Sequence, residues 1–311
     1  MDNLPTKPFK EHKDQAVKAQ LKAKYSPFNP KKAVRCELCG TYLTFQPYEH
    51  TQTQERKYEL IDANFCGCRW CPTCEWLKCR KLITELHSVF SQIQASHSVA
   101  YLFLTLTTKN TPLNALRASV KHLSLSFARL ARFDPFARSV LGYLRAIEFL
   151  GAKTPKGQAH PHFHTLLVVK PSYFKKHYLS QAKWTELWQQ ALKVDYTPIV
   201  DIRRIRPKKL DLANSANIPA VSPALTSALL ECVKYSVKPS KLAKMSRNDF
   251  QILDQEAKGL RQYNKGGLLK QYKPQPETDV LDENEWERLE LEFWRWCGAV
   301  KDYLPITSSP R

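Results

Sequence analysis

The sequence contains no uncharged apolar run of about 18 residues, the length a membrane-spanning helix needs, so none is expected. Its first residues, Met1-Asp2-Asn3-Leu4-Pro5-Thr6-Lys7, lack the apolar core of a signal peptide, and the expected location is the cytoplasm. Acidic residues are scarce. There are 29 Asp and Glu against 48 Lys and Arg in 311 residues, a net charge of +19, which favours a polyanionic partner. The basic residues are spread along the chain and do not stripe one amphipathic helix, which argues for nucleic acid over a membrane surface. Internal repeats are also missing, which excludes a solenoid.

Nine cysteines without an export signal point to metal or redox chemistry rather than a disulfide scaffold. Cys36-x2-Cys39 and Cys71-x2-Cys74 have the spacing of zinc knuckles, in which two thiolates grip one tetrahedral ion. Cys66 and Cys68 supply two further candidates, so Zn²⁺ is expected and the choice of four ligands stays open. Cys79, Cys232 and Cys297 stand alone and read as buried thiols.

In chain order, residues 1–35 are Lys-rich and Pro-punctuated and read as a flexible basic arm. Residues 36–94 read as the Cys-rich module with a linking helix, 95–245 as the core, and 246–311 as a helical and basic extension with helical spacing from Glu285 to Tyr303. Within the core, Ser98–Thr107 alternates as a strand. A helix follows from Leu113, then strands at 142–150 and from His160, a helix at 180–194, a strand at 197–205 and a helix from Pro223. The segment 258–272 reads as a basic, Tyr-bearing loop. The order β-α-β-β-α-β-α gives an α+β class, an antiparallel sheet of the ferredoxin-like (split βαβ) kind with helices on one face and the other face free for a site.

The chemistry-bearing stretch is His160-Pro161-His162-Phe163-His164, leading into Thr165-Leu166-Leu167-Val168-Val169. On a strand, His162 and His164 share a face at roughly 6.5–7 Å between Cα atoms, close enough to converge on one ion. The preceding hairpin brings Glu148 opposite this pair, while His160 falls just before it in a supporting role. Two His and one carboxylate leave coordination positions open; this set also serves non-haem iron oxygenases. Tyr235 is a candidate nucleophile because Lys234 and Lys238 flank it with cationic charge. Glu231 precedes it by one helical turn and is placed to act as a general base. A zinc-dependent DNA-binding regulator without catalysis is the other reading.

Phe103-Leu104-Thr105-Leu106-Thr107-Thr108, the His stretch, and Val233-Lys234-Tyr235-Ser236-Val237-Lys238 resemble, in this order, the motifs of plasmid rolling-circle replication initiators. These belong to the HUH endonuclease superfamily, and the likeness, to the single-tyrosine Gram-positive type, covers about residues 66–270. The run Cys66-x2-Arg69-x-Cys71-Pro72-x-Cys74 is similar to a stretch upstream of those motifs, with Cys68 extra. The resemblance implies an HUH nuclease core that holds Mn²⁺ or Mg²⁺ on Glu148, His162 and His164. It implies that Tyr235 forms a 5′-phosphotyrosine bond with origin DNA, bound as duplex and cut as single strand, leaving a 3′-OH for host polymerase. It further implies a host helicase partner, a bacterial cytoplasmic setting, and carboxylate-assisted hydrolysis by Glu231 to end a round. HUH transposases and mobilisation relaxases share the same chemistry.

Overall fold

The structure is a computed structural model and describes residues 4–11, 15–206, 221–233, 237, 239–275 and 284–308. The chain divides into two compact units, residues 1–78 with 276–311, and residues 79–275, a division that differs from the four parts expected from the sequence.

The first unit opens with α1 (Lys7–Glu11), α2 (Gln15–Tyr25) and α3 (Pro30–Glu37). The expected flexible arm is therefore helical. Val17, Leu21 and Tyr25 recur every four residues on α2 and are buried, forming an apolar stripe among the lysines. Lys18 and Lys24 are buried as well, and Lys18 Nζ donates to the Cys39 carbonyl at 2.6 Å, so these side chains pack along their stems. Asn29 caps α3 by accepting from the Lys32 amide, and Pro30 occupies the first turn. An antiparallel hairpin of β1 (Tyr42–His50) and β2 (Arg56–Ala63) follows. It fills the long interval between the two cysteine pairs. Next comes α4 (Pro72–Ser96), whose residues from Cys79 onward belong to the second unit.

The second unit contains β3 (Ala100–Leu106), the two-residue β4 (Thr111–Pro112), α5 (Leu116–Leu130), α6 (Asp134–Ser139), β5 (Val140–Glu148), the two-residue β6 (Gln158–Ala159) and β7 (His162–Val169). It continues with α7 (Tyr173–Lys176), α8 (Gln181–Leu192), β8 (Val200–Ile205), α9 (Pro223–Val233), α10 (Pro239–Lys244), α11 (Arg247–Glu256) and β9 (Tyr263–Gly267). Its main sheet runs β8-β3-β7-β5-β9, with every neighbouring pair antiparallel. The class is α+β. The segment expected as a loop at 258–272 contains β9, an edge strand whose pairing partner lies more than a hundred positions away in sequence.

Both faces of this sheet are covered. On one, Phe127 of α5 stacks edge-on against Tyr143 and Phe163, and α8 packs on α5 and β8. On the other, Tyr101, Phe103, Leu144, Leu166 and Val168 join one apolar core with Leu86, Val89, Phe90 and Ile93 of α4 and with Leu225 and Leu229 of α9. The expected free face is thus closed over most of its area by α4 and α9, because its residues beyond the His pair are large and apolar.

The C-terminal stretch forms β10 (Trp286–Arg288), β11 (Glu292–Cys297) and β12 (Asp302–Ile306), which corrects the expected helical extension. β10 and β11 both pair with β1, Trp294 opposite Leu43, and β12 pairs with β11. Aromatic residues suit a half-buried pleated surface, and here they find a partner more than two hundred positions earlier. Trp294 and Tyr303 pack with Phe9, Leu43 and Phe45. No helix among the described residues is long and apolar enough to cross a membrane.

β9 approaches β5 so closely that Gly267, at φ 57°, has no room for a side chain: a Cβ there would collide with the Leu141 carbonyl and with Gly142 Cα. Gly267→Ala is expected to destabilise the fold by about 2 kcal/mol or more, read as a lower denaturant midpoint. Gly298→Ala, whose Cβ meets nothing within 4 Å, should leave the midpoint in place.

Candidate metal centres

In the second unit, the register of β5 and β7 sets Glu148 directly opposite His162, and Ala146 opposite His164. Side chains alternate across a strand, so both imidazoles and the carboxylate share the face of α4 and α9, at the end of the sheet beyond the apolar core. The Glu148 carboxylate Oε2 lies 3.3 Å from His164 Nε2 and 3.5 Å from His162 Nε2. All three donor atoms fall within 4.8 Å of one another. Glu148 and His162 are 5% and 7% exposed.

The hydrogen bonds behind the cluster orient its rings. His162 Nδ1 lies 2.8 Å from the His160 carbonyl oxygen, which only accepts, so Nδ1 donates there and Nε2 is the ring nitrogen turned to Glu148. Two imidazole nitrogens and a carboxylate oxygen that converge in this way are a donor combination used by divalent ions. The donor set therefore suits a divalent metal, through Glu148, His162 and His164. On the adjacent strand Thr105 is opposite His164, and its hydroxyl lies 3.4 Å from His164 Nδ1. Sequence reasoning marks Thr105 as a strand residue within the first motif and gives it no role at the site. The alternation that puts it on the face of Tyr101 and Phe103 is the available signal, whereas its pairing with His164 carries none.

His160 is held from outside the strand. Its Nδ1 lies 2.8 Å from Asn110 Oδ1, and the β4–β6 pair, with Thr111 opposite Ala159, locks the two segments together. Burial, reinforced by the neighbouring His162, keeps His160 below the usual imidazole range, with Glu148 acting in the opposite sense.

Of the remaining expected residues, Glu231 sits half-buried in the last turn of α9. Tyr235, Lys234 and Lys238 lie outside the described residues. Just before them, the Val233 carbonyl accepts from Tyr263 Oη and Cys79 Sγ, each at 2.8 Å. Tyr263 is opposite Ala146, itself opposite His164, so the end of α9 is tied to the row of the sheet that carries His164. Of the three lone cysteines expected to be buried, Cys232 is buried, whereas Cys79, hydrogen-bonded here, and Cys297 are half-buried.

The first unit holds the second centre. Cys39, Cys66, Cys71 and Cys74 form one group of sulfurs within 4.8 Å of each other, and Cys36, Cys66 and Cys68 form another. Cys39 Sγ and Cys66 Sγ lie 3.5 and 3.6 Å from Cys74 Sγ, near the edge of about 3.8 Å of a sulfur tetrahedron with 2.3 Å metal bonds. Backbone amides point at the sulfurs: Cys66 N–H donates to Cys39, Gly67 N–H to Cys74 and Cys68 N–H to Cys66. Hydrogen bonds from Cys36 and Cys66 push the Cys68 thiol down to about 4, with Lys32 and Arg35 adding to the effect. Bonds from Cys39, Cys66 and Cys74 likewise lower Cys71. Cys36, Cys66 and Cys74 are pushed the other way, Cys66 by hydrogen bonds with the neighbouring thiols, and six sulfurs gathered this closely suit a soft metal.

A family model described as a replication protein matches residues 57–292. The chain belongs to the replication protein family. This agrees with the resemblance to plasmid replication initiators read from the motifs. Among its relatives, a "Protein rep" of Bacillus amyloliquefaciens is 33% identical over 253 residues, covering 79% of this chain and 73% of that protein. A "Protein rep" of Lactiplantibacillus plantarum is 34% identical over 281 residues, 88% of this chain and 83% of the relative. One from Staphylococcus aureus is 32% identical over 206 residues, 66% and 81% of the two chains. No solved structure matches. Both metal-suited donor sets of this chain fall within the matched span except for Cys36 and Cys39.

Thr105→Val keeps the shape of the side chain and removes the hydroxyl beside His164. It is expected to weaken Mn²⁺ binding about tenfold, measured by titration of free Mn²⁺, with the denaturant midpoint close to that of the unaltered protein.

Proposed function

We propose that this replication protein is a plasmid initiator that nicks and rejoins one strand of origin DNA and so starts rolling-circle replication. The observation that carries the reading is the convergence of Glu148, His162 and His164 on adjacent strands of a chain in the replication protein family. The strand order β8-β3-β7-β5, with β3 and β5 flanking the antiparallel β7, supports a ferredoxin-like HUH nuclease core, assigned here to residues 95–245. Duplex recognition is assigned to the Cys-rich module at 36–94, held by Zn²⁺. The net charge of +19 suits the phosphate backbone.

Glu148, His162 and His164 would hold a divalent ion, Mn²⁺ or Mg²⁺, which would supply polarisation of a phosphodiester oxygen and counter-charge to it. The His160 carbonyl and Thr105 hydroxyl orient the two imidazoles. Tyr235 is the nucleophile on this reading. Its oxygen bonds to the scissile phosphorus as the bond from phosphorus to the 3′-oxygen breaks; the phenol gives its proton to solvent, the departing 3′-oxygen takes one up to become a free 3′-OH, and the 5′-phosphate stays on the tyrosine. Lys238 supplies counter-charge to the phenolate. The 3′-OH is then the primer for host polymerase, with a host helicase opening the duplex in the bacterial cytoplasm. Glu231 acts at the end of the round as general base toward a water aimed at a second phosphodiester.

The full-length protein incubated with a single-stranded origin oligonucleotide and Mn²⁺ is expected to give a covalent protein–DNA band on a denaturing gel. Tyr235→Phe should abolish that band while leaving DNA binding nearly unchanged; a surviving adduct would move the nucleophile elsewhere. Glu231→Ala should form the adduct at a near-normal rate and accumulate over-long multimeric products during replication. If initiation fails together with termination in that variant, the assignment of Glu231 is wrong.

A further inference from the structure

A single tetrahedral ion on Cys39, Cys66, Cys71 and Cys74 leaves two of the six gathered cysteines unused. Those two are not remote. Cys36 and Cys68 lie with Cys66 in a second group of sulfurs within 4.8 Å of one another, and they are 0% and 6% exposed. No disulfide joins the described cysteines. Two elements built from separate parts of the chain create this second group: Cys36 comes from the last turn of α3, whereas Cys66 and Cys68 come from the loop between β2 and α4. Cys66 alone belongs to both groups.

Its surroundings fit that double membership. The Cys66 sulfur accepts from the Cys68 amide at 3.4 Å, and its own carbonyl accepts from the Arg35 guanidinium at 2.6 Å, so the residue is pinned between the two groups. A thiolate sulfur carries three lone pairs and can bond two ions at once. Charge also balances. One Zn²⁺ with four thiolates carries 2 − 4 = −2, and two Zn²⁺ with six thiolates carry 4 − 6 = −2, so adding the second ion together with two thiolates adds no net charge to the interior. Lys18, bonded to the Cys39 carbonyl, and Arg35 are cations already at the cluster.

We propose that the six cysteines form a binuclear zinc cluster in which Cys66 bridges an ion held by Cys39, Cys71 and Cys74 to a second ion held by Cys36 and Cys68. The second ion has three protein sulfurs and takes its fourth ligand from solvent. This joins α3 to the β2–α4 loop and gives the helical N-terminal segment a metal anchor to the module. The inference rests on the zinc reading of the module and is independent of the nickase reading.

The test counts zinc in the full chain carrying His162→Ala and His164→Ala, so that the other donor set contributes none, by native mass spectrometry of protein purified without chelators. Two zinc ions per chain are expected, falling to one with Cys36→Ser or with Cys68→Ser. In protein loaded with NMR-active cadmium, the β-protons of Cys66 should couple to both metal nuclei, whereas those of the other five cysteines couple to one. One ion per chain, unchanged by Cys68→Ser, would overturn the binuclear cluster and keep the simple four-cysteine site. No ion at all would overturn the zinc reading itself, while leaving covalent adduct formation by Tyr235 as a separate question.

Discussion

The His–Glu cluster depends on one register, the antiparallel pairing that sets Glu148 against His162 and Ala146 against His164. A strand slip of one residue would turn every side chain of β7 to the opposite face and send both imidazoles into the core beside Phe127. What forbids the slip is burial on both sides. Phe163, Thr165 and Leu167 belong to the face covered by α5, and Leu166 and Val168 belong to the face covered by α4 and α9. The metal-suited end of the sheet is therefore held by apolar contacts two to six residues away from it.

The polar support of the cluster is local and continuous with this packing. His160 ties to Asn110, His162 ties to the His160 carbonyl, and His164 lies beside Thr105. Asn110 and Thr105 flank the end of β3, so the end of one motif orients the start of the next. Tyr263, on the far edge strand, and Cys79, on α4, both donate to the Val233 carbonyl. That pair of bonds anchors the segment immediately ahead of Tyr235 to the same sheet. The cysteine centre follows a different logic, because its ligands come from loop and helix ends brought together by a hairpin rather than from one rigid strand.

Much of this is legible in the chain. The short, largely apolar runs Ala100–Leu106 and His162–Val169 mark both strands, buried on both faces, and the period of two assigns each side chain its face. The length of the hairpin loop is enough to put Glu148 opposite the His pair. Helix α9 is legible from Pro223 onward. Other readings fail for identifiable reasons. The apolar stripe Val17, Leu21, Tyr25 is hidden by the lysines around it, and the lysine stems that pack beside it carry no signal in a charge count. Trp294 and Trp296, two apart, share a face only on a strand, and the partner of their strand, β1, lies near the other end of the chain.

The sequence by itself determined what depends on neighbours along the chain: strand and helix periods, hairpin register, knuckle spacing, net charge, and the residue types able to hold a metal. Tertiary structure decided what depends on distant pairing. It closed the sheet face expected to be free with α4 and α9, and it recruited the C-terminal strands to β1. It set Thr105 behind His164 and gathered six cysteines so that Cys66 stands in two groups. The physical reason is that a local pattern constrains a face and a period, whereas the identity of the surface that buries that face is set by which long-range packing removes the most apolar area from water.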